Sequence, residues 1–349
     1  MRWHRLMVVL AGALAAPAFS SPAVDAIDRP ALSSPHASRS ALLSAAKAGD
    51  RLVAVGERGI IVLSDDRGAT WRQAQSPVAV TLTAVRFADA NHGYAVGHSG
   101  VVLATQDGGN SWLPRFDGKK AARLVLQEAE ASEDSNALRE AQRLVNDGAD
   151  KPFLDLHVFD AQRVLIVGAY NLAFYTEDGG KTWRSWMTRL PNPKALHWYA
   201  VRAKGSTILL AGEQGLALRS DDSGATFRRI STPYHGSFFT AELATTQDIL
   251  LGGMRGNVWR SVDGGINWSQ LVAPQTSSVT ASAVRSSGQV LLATMGGELL
   301  TTAPTGSPNI LTVERAGLPP LFSILSVSPE QVLLLGGHGA VMVNSENKK

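Results

Sequence analysis

The 349-residue chain contains no cysteine. That absence excludes structural disulfides, thiolate metal sites and a lipoprotein anchor, which needs a cysteine at the mature N-terminus. The eight histidines show no i, i+4 pair or other metal-ligand spacing, so no metal is expected. No phosphate loop, serine elbow or dinucleotide fingerprint occurs, and no cofactor is expected. Long apolar runs are also missing, with one exception at the N-terminus. Arg2 and Arg5, the apolar run Leu6–Ala16 and the small-x-small triplet Ala18-Phe19-Ser20 make residues 1–20 an expected export signal. The run is too short to span a bilayer as a helix. A mature soluble periplasmic protein of residues 21–349, without direct membrane insertion, is therefore predicted. Loss of Arg2 and Arg5 leaves 31 basic against 30 acidic residues, too even a balance to draw the protein to nucleic acid.

What the chain does have is repetition. The pattern (Ser/Thr)-x-Asp-x-Gly-x-(Thr/Ser/Asn)-(Trp/Phe) occurs five times, centred on Asp66, Asp107, Asp178, Asp222 and Asp263. In each copy the carboxylate can accept bonds from its own turn, the glycine permits positive φ, and the aromatic packs the next strand into a core. A second pattern, Gly-x-x-Gly after an apolar strand, begins at Gly56, Gly97, Gly168, Gly212 and Gly253, with weaker copies at Thr294 and Gly336. Its spacings are 41, 71, 44, 41, 41 and 42 residues. A period near 40 suits four short antiparallel strands, one blade of a propeller. The fold class is thus all-β, a seven-bladed propeller. Blade six has Pro304 where its box aspartate should stand, and blade seven reaches Asn344-Glu346 where a fourth strand should follow. Asp25–Leu32 is expected to supply that strand and close the ring.

The long interval carries about 30 extra residues between blades two and three. Residues 118–149 hold two stretches, Lys119–Glu130 and Ser135–Asp147, free of proline and glycine and rich in helix formers. A helical hairpin is predicted. Its stripe of Leu124, Leu138, Leu144 and Val145 either packs on the propeller or meets a partner.

Propeller topology places the box turns on one face and the Gly-x-x-Gly turns, with the loops between blades, on the other. The box aspartates are therefore assigned structural roles, and no catalytic residue is assigned. The opposite face offers Arg58, His98, Tyr170, Glu213, Arg255 and His338 from its turns, and Tyr199, Tyr234 and Phe239 from its loops. Aromatics beside arginine and histidine suit a protein-binding rim. Asn171, in place of a second glycine, tolerates the left-handed conformation and is expected to be structural.

Two stretches, Val55-Gly56-Glu57-Arg58-Gly59 with Asp65-Asp66-Arg67-Gly68-Ala69-Thr70-Trp71, and Tyr94–Gly100 with Asp107–Trp112, resemble the Asp-box (bacterial neuraminidase repeat) propellers. The chain from about 25 to 346 looks like the photosystem II stability/assembly factor family. That resemblance implies a seven-bladed, non-enzymatic assembly factor, here of a bacterial envelope type. Its partner would be a membrane or envelope protein complex, with a transporter as one option, and the protein would be monomeric on its own. The alternative is a carbohydrate-binding or sialidase-type propeller. Against catalysis, Arg86, Arg202 and Arg285 sit late in their strands, and nothing in the sequence places three arginines beside a Tyr–Glu pair.

Overall fold

The computed structural model describes residues 24–132, 134–273, 276–303, 308–314 and 317–344, and the expected export signal lies outside them. Seven antiparallel sheets surround a central channel, six of four strands and one of three. The innermost strands are Leu42–Ala48, Leu82–Phe87, Phe153–Val158, Trp198–Lys204, Phe238–Leu243, Val279–Val284 and Leu321–Ser326. The second strand of each blade is apolar along its length, as in Leu52–Val55 and Val164–Val167, because both faces of each sheet are covered by neighbouring blades. The outermost strands are short, and the two-residue examples Arg72–Gln73, Arg184–Ser185 and Arg228–Arg229 are mostly exposed.

Every innermost strand carries a bulge after its first residue. The register skips between Leu42 and Ser44, Leu82 and Ala84, Trp198 and Ala200, Phe238 and Thr240, Val279 and Ala281, and Leu321 and Ser323. In blade three the same skip falls opposite Leu154. A bulge leaves one residue unpaired and re-aims its side chain. The seven extra residues, Leu43, Thr83, Leu154, Tyr199, Phe239, Thr280 and Phe322, line the channel at one mouth.

The ring does not close as the sequence suggests. Asp25–Leu32 forms no strand. It turns at once, with Asp28 N–H bonded to Asp25 O, and Pro30 has no N–H to give a ladder. The rest of the segment pairs with blade one: Ala79 N–H donates to Ala26 O, Ala31 N–H to Ser76 O, and the Gln73 side chain holds Leu32 O and Ser34 N–H. Closure uses the contact that joins other blades. Gly59, Gly215 and Gly297 each back onto a carbonyl of the following inter-blade loop, at Val78, Tyr234 and Leu318, and Gly339 backs onto Ser38 O in the same way. The N-terminal segment thus takes the place of an inter-blade loop. Among the described residues blade seven has three strands, and its third, Gly339–Asn344, is half-exposed where Ile61–Ser64 or Ala217–Ser220 is fully buried.

Helices α1 (Gly118–Ala131) and α2 (Ser135–Asp147) form the inserted hairpin. Asp117 and Asp134 cap their N-termini by accepting from Lys120 N–H and from Asn136 and Ala137 N–H. Leu124, Val125 and Leu144 pack against the core between blades two and three, and Glu128 accepts from Ser185 N–H of blade three's outer strand. Of the expected stripe, Leu124 and Leu144 therefore serve the propeller itself, while Leu138 and Val145 are half-buried outside that core.

Candidate partner-binding face and central channel

On the box face the side chains are consumed locally. Asp66 Oδ1 accepts from Ser64 Oγ and Thr70 N–H, both at 2.8 Å, while Oδ2 accepts from Thr70 Oγ at 2.5 Å. Ser64 Oγ in turn accepts from Gly68 N–H at 2.7 Å. Asp107, Asp178, Asp222 and Asp263 repeat the arrangement with Ser111, Thr182, Thr226 and Asn267. Hydrogen bonds from Thr70 and Thr226 hold Asp66 and Asp222 down to about 2, and Asn267 does the same for Asp263. For Asp107 and Asp178 desolvation pushes upward, but the hydroxyl and backbone donors outweigh it. Carboxylates held this way cannot exchange protons near neutrality.

The opposite face is built differently. The first glycine of each turn backs onto the carbonyl before an innermost strand: a Cβ at Gly56, Gly97, Gly168, Gly212 or Gly253 would lie 2.0–2.3 Å from that oxygen. Two residues later the chain turns left-handed at Arg58, Ser99, Tyr170, Gln214 and Arg255, with φ of 52–57°. Backbone packing makes these turns, so the outward side chains are left unassigned. Asn171 is left-handed as well, at φ 64°. Its Oδ1 accepts from Trp198 Nε1–H and Asn192 Nδ2–H, which makes it a buried bracket.

Four of the candidate residues come together. The rings of Tyr170, His197, Tyr199 and Phe239 follow one another at 4.6, 6.2 and 5.4 Å, a strip from the blade-three turn to the channel mouth. Glu213 braces the strip, accepting from His197 N–H at 2.8 Å and Tyr199 OH at 3.4 Å. His197 Nδ1 lies 2.9 Å from Glu213 Oε2, an ion pair in distance though not an aligned hydrogen bond. Burial, reinforced by the Glu213 charge, pushes the Tyr199 hydroxyl up to about 12, so it remains a donor. Lys151 Nζ stands 5.6 Å from the centre of the exposed Tyr170 ring. Tyr234 is set apart, its hydroxyl donating to Met254 O and its ring packed on Phe238. Arg58, His98, Arg255 and His338 stand exposed on separate turns.

Two features escaped the sequence reading. One is His197, the link between Tyr170 and Tyr199. The other is an arc of polar side chains in the channel, a cavity of about 450 Å³. Arg86 donates to Ser44 Oγ and Asp155 Oδ1, each at 3.1 Å, and Arg202 donates to Asp155 Oδ2 at 2.5 Å. Arg202 Nε lies 3.7 Å from Glu242 Oε2, and Ser282 Oγ donates to Glu242 Oε1 at 2.8 Å. The arc thus runs from blade one to blade six. Desolvation pushes Asp155 upward, but Arg202 and Arg86 outweigh it and keep it ionised; burial raises Glu242, which Arg202 only partly offsets. Burial, helped by Arg202 and Arg86, drives His157 down to about 4, so it is neutral. Repeat register could have revealed the arc, since Arg86, Arg202 and Glu242 are each the fifth residue of their innermost strand.

The description "Photosynthesis system II assembly factor YCF48" matches residues 63–136 and 134–348. A curated relative, the chloroplastic photosystem II stability/assembly factor HCF136 of Cyanidioschyzon merolae, is 40% identical over 84 residues, which are 22% of this chain and 19% of that protein. Among solved structures, YCF48 bound to D1 peptide is 17% identical with a TM-score of 0.65, covering 94% of this chain and 100% of that one. YCF48 from Cyanidioschyzon merolae is 14% identical at 0.64, covering 87% and 95%. The WD40 propeller of Doa1, at 9% identity, scores 0.63 over 92% and 97%. At such identities the structural likeness speaks for the seven-bladed fold alone.

Proposed function

This chain belongs to the family of the photosystem II assembly factor YCF48, a family of assembly factors rather than enzymes, and from that premise we propose a periplasmic assembly factor. In this reading it is exported by residues 1–20, has no catalytic activity, and holds a segment of a membrane or envelope protein complex while that complex forms. The observation that carries the proposal is the division of labour between faces. Box side chains are bound within their own turns, whereas on the opposite face Tyr170, His197, Tyr199 and Phe239 form a continuous aromatic strip, and Arg58 and Arg255 stand exposed on other turns of that face. Rigid aromatics and arginines presented on one face form the common hot-spot composition of protein interfaces. One relative was solved bound to D1 peptide, in keeping with capture of a segment of a larger membrane protein.

The test is cross-linking capture from envelope extract, with the partner identified by mass spectrometry. A membrane-complex subunit should be recovered by the native protein. Recovery should fall at least tenfold for Tyr170→Ala with Phe239→Ala, two truncations of about 1 kcal/mol or more each. It should fall less for Arg58→Glu with Arg255→Glu, which act through charge at the rim. Undiminished capture by both folded double variants would overturn the assignment of this face.

A further inference from the structure

We propose that the central channel is a binding site for a neutral sugar. The polar arc is not a sealed structural network. The Arg86 side chain is 32% exposed and that of Arg202 19%, and they open into the channel that both residues line. Arg86 Nε and Arg202 Nη2 have no hydrogen-bond partner among the described residues, and Glu242 Oε2 has only the 3.7 Å approach of Arg202 Nε. Donors and an acceptor therefore stand side by side on one wall.

Within the arc the charge balances, with two guanidiniums facing two carboxylates, and Lys47, the other charged residue lining the channel, directs its ammonium to Val327 O instead. A single ion gains little from a balanced set, because whatever attracts it is offset by a neighbour at similar range. A hydroxyl both donates and accepts. Several hydroxyls on one rigid frame can satisfy the arginine N–H groups and the glutamate oxygen together.

The rest of the cavity calls for the other half of a sugar's chemistry. Across from the arc, Ala46, Ala283 and Leu325 hold the same fifth position as Arg86, Arg202 and Glu242, and they present a small apolar wall. At the mouth, Thr83 and Thr280 have spent their hydroxyls on backbone carbonyls of their own and the next blade. What remains there is apolar or aromatic, with Tyr199 and Phe239 set edge-to-face at 5.4 Å. C–H faces of a pyranose suit such surfaces, and about 450 Å³ lies within the usual range for small-ligand pockets.

The test is saturation-transfer NMR and calorimetry on the full chain with glucose, galactose, mannose and N-acetylglucosamine. Gluconate and glucosamine serve as charged counterparts. Saturable binding of at least one neutral sugar is expected. Glu242→Gln should raise its Kd about tenfold by exchanging an acceptor for a donor. Ala283→Trp, at a position outside the arc's hydrogen bonds, should abolish binding by filling the lumen, and it decides the matter if Glu242→Gln fails to fold. Absence of saturable binding by every neutral sugar, tighter binding of the charged counterparts, or unchanged binding by Ala283→Trp would each overturn the proposal. None of these outcomes depends on partner capture by the outer face.

Discussion

The two faces of this propeller repeat their backbones equally well by opposite means. On the box face, side chains make the turn: a hydroxyl and a carboxylate satisfy the loop's N–H groups, as at Ser64 and Asp66. On the other face glycines make the turn by packing on carbonyls, as Gly212 does on His197 O, and side chains are spared. The first solution fixes residue identity at the turn, and the second fixes little more than a glycine at two positions, with Asn171 the replacement at one of them. Variation in what the turns present is therefore cheap on the second face. Tyr170, Gln214 and Arg255 occupy one backbone conformation with unrelated chemistry.

The largest expected effect attacks the glycine solution. In Gly215→Val a Cβ would fall 1.9 Å from Tyr234 O at a φ of +72°, so both space and conformation are denied. A loss of about 3 kcal/mol or more is expected, measured by urea unfolding. Asp107→Ala should cost less, about 1–2 kcal/mol, since its exposed turn leaves water able to replace part of what is lost. If Asp107→Ala proved the more damaging, side-chain bonding would dominate on both faces.

Acid should separate the box face from the inner strands, where His157 lies on Phe153–Val158. His157 has a folded value of about 4 against an ordinary 6.5, so between those values the unfolded chain takes a proton that the folded chain refuses. Stability is then full above 6.5 and lost as the pH falls toward 4, by about 1–2 kcal/mol once partial solvent access is allowed for. The boxes act lower. Asp66, Asp222 and Asp263 sit at about 2 against 3.8, and their contribution disappears as the pH falls from 3.8 through 2. Unfolding followed against pH should show two phases, and His157→Gln should remove the upper one alone.

How much of this was legible in the sequence follows from the same contrast. Locally coded features were plain: the boxes, the Gly-x-x-Gly period and the two helices expected at Lys119–Glu130 and Ser135–Asp147, found at Gly118–Ala131 and Ser135–Asp147. Ring closure was misassigned because a three-stranded last blade suggests a missing strand. The actual device, Gly339 on Ser38 O, uses the last glycine of the weaker Gly-x-x-Gly copy at Gly336, and that glycine does not say which segment it packs against. The channel arc was missed for a different reason. Arg86, Asp155, Arg202 and Glu242 follow one another in the arc at sequence separations of 69, 47 and 40 residues, and only superposing the repeats brings them onto one ring.

The smallest expected effect is the sharpest test of the comparison. Arg58 is left-handed at φ 53° in a turn whose geometry the flanking Gly56 and Gly59 determine. Its side chain is exposed and contributes no ion pair among the described residues. Arg58→Gly relieves the cost of a side chain in that region but loosens the unfolded chain, and the two effects oppose each other. The net change should be within about 1 kcal/mol, read by urea unfolding. On the box face no such freedom exists, because Asp66 makes the turn it occupies. If Arg58→Gly lowered stability as much as Asp107→Ala, the outward side chains would be structural after all and the two faces would differ only in which residues maintain them. A stable Arg58→Gly protein with weakened partner capture would instead confirm that the spared side chains are those available for binding.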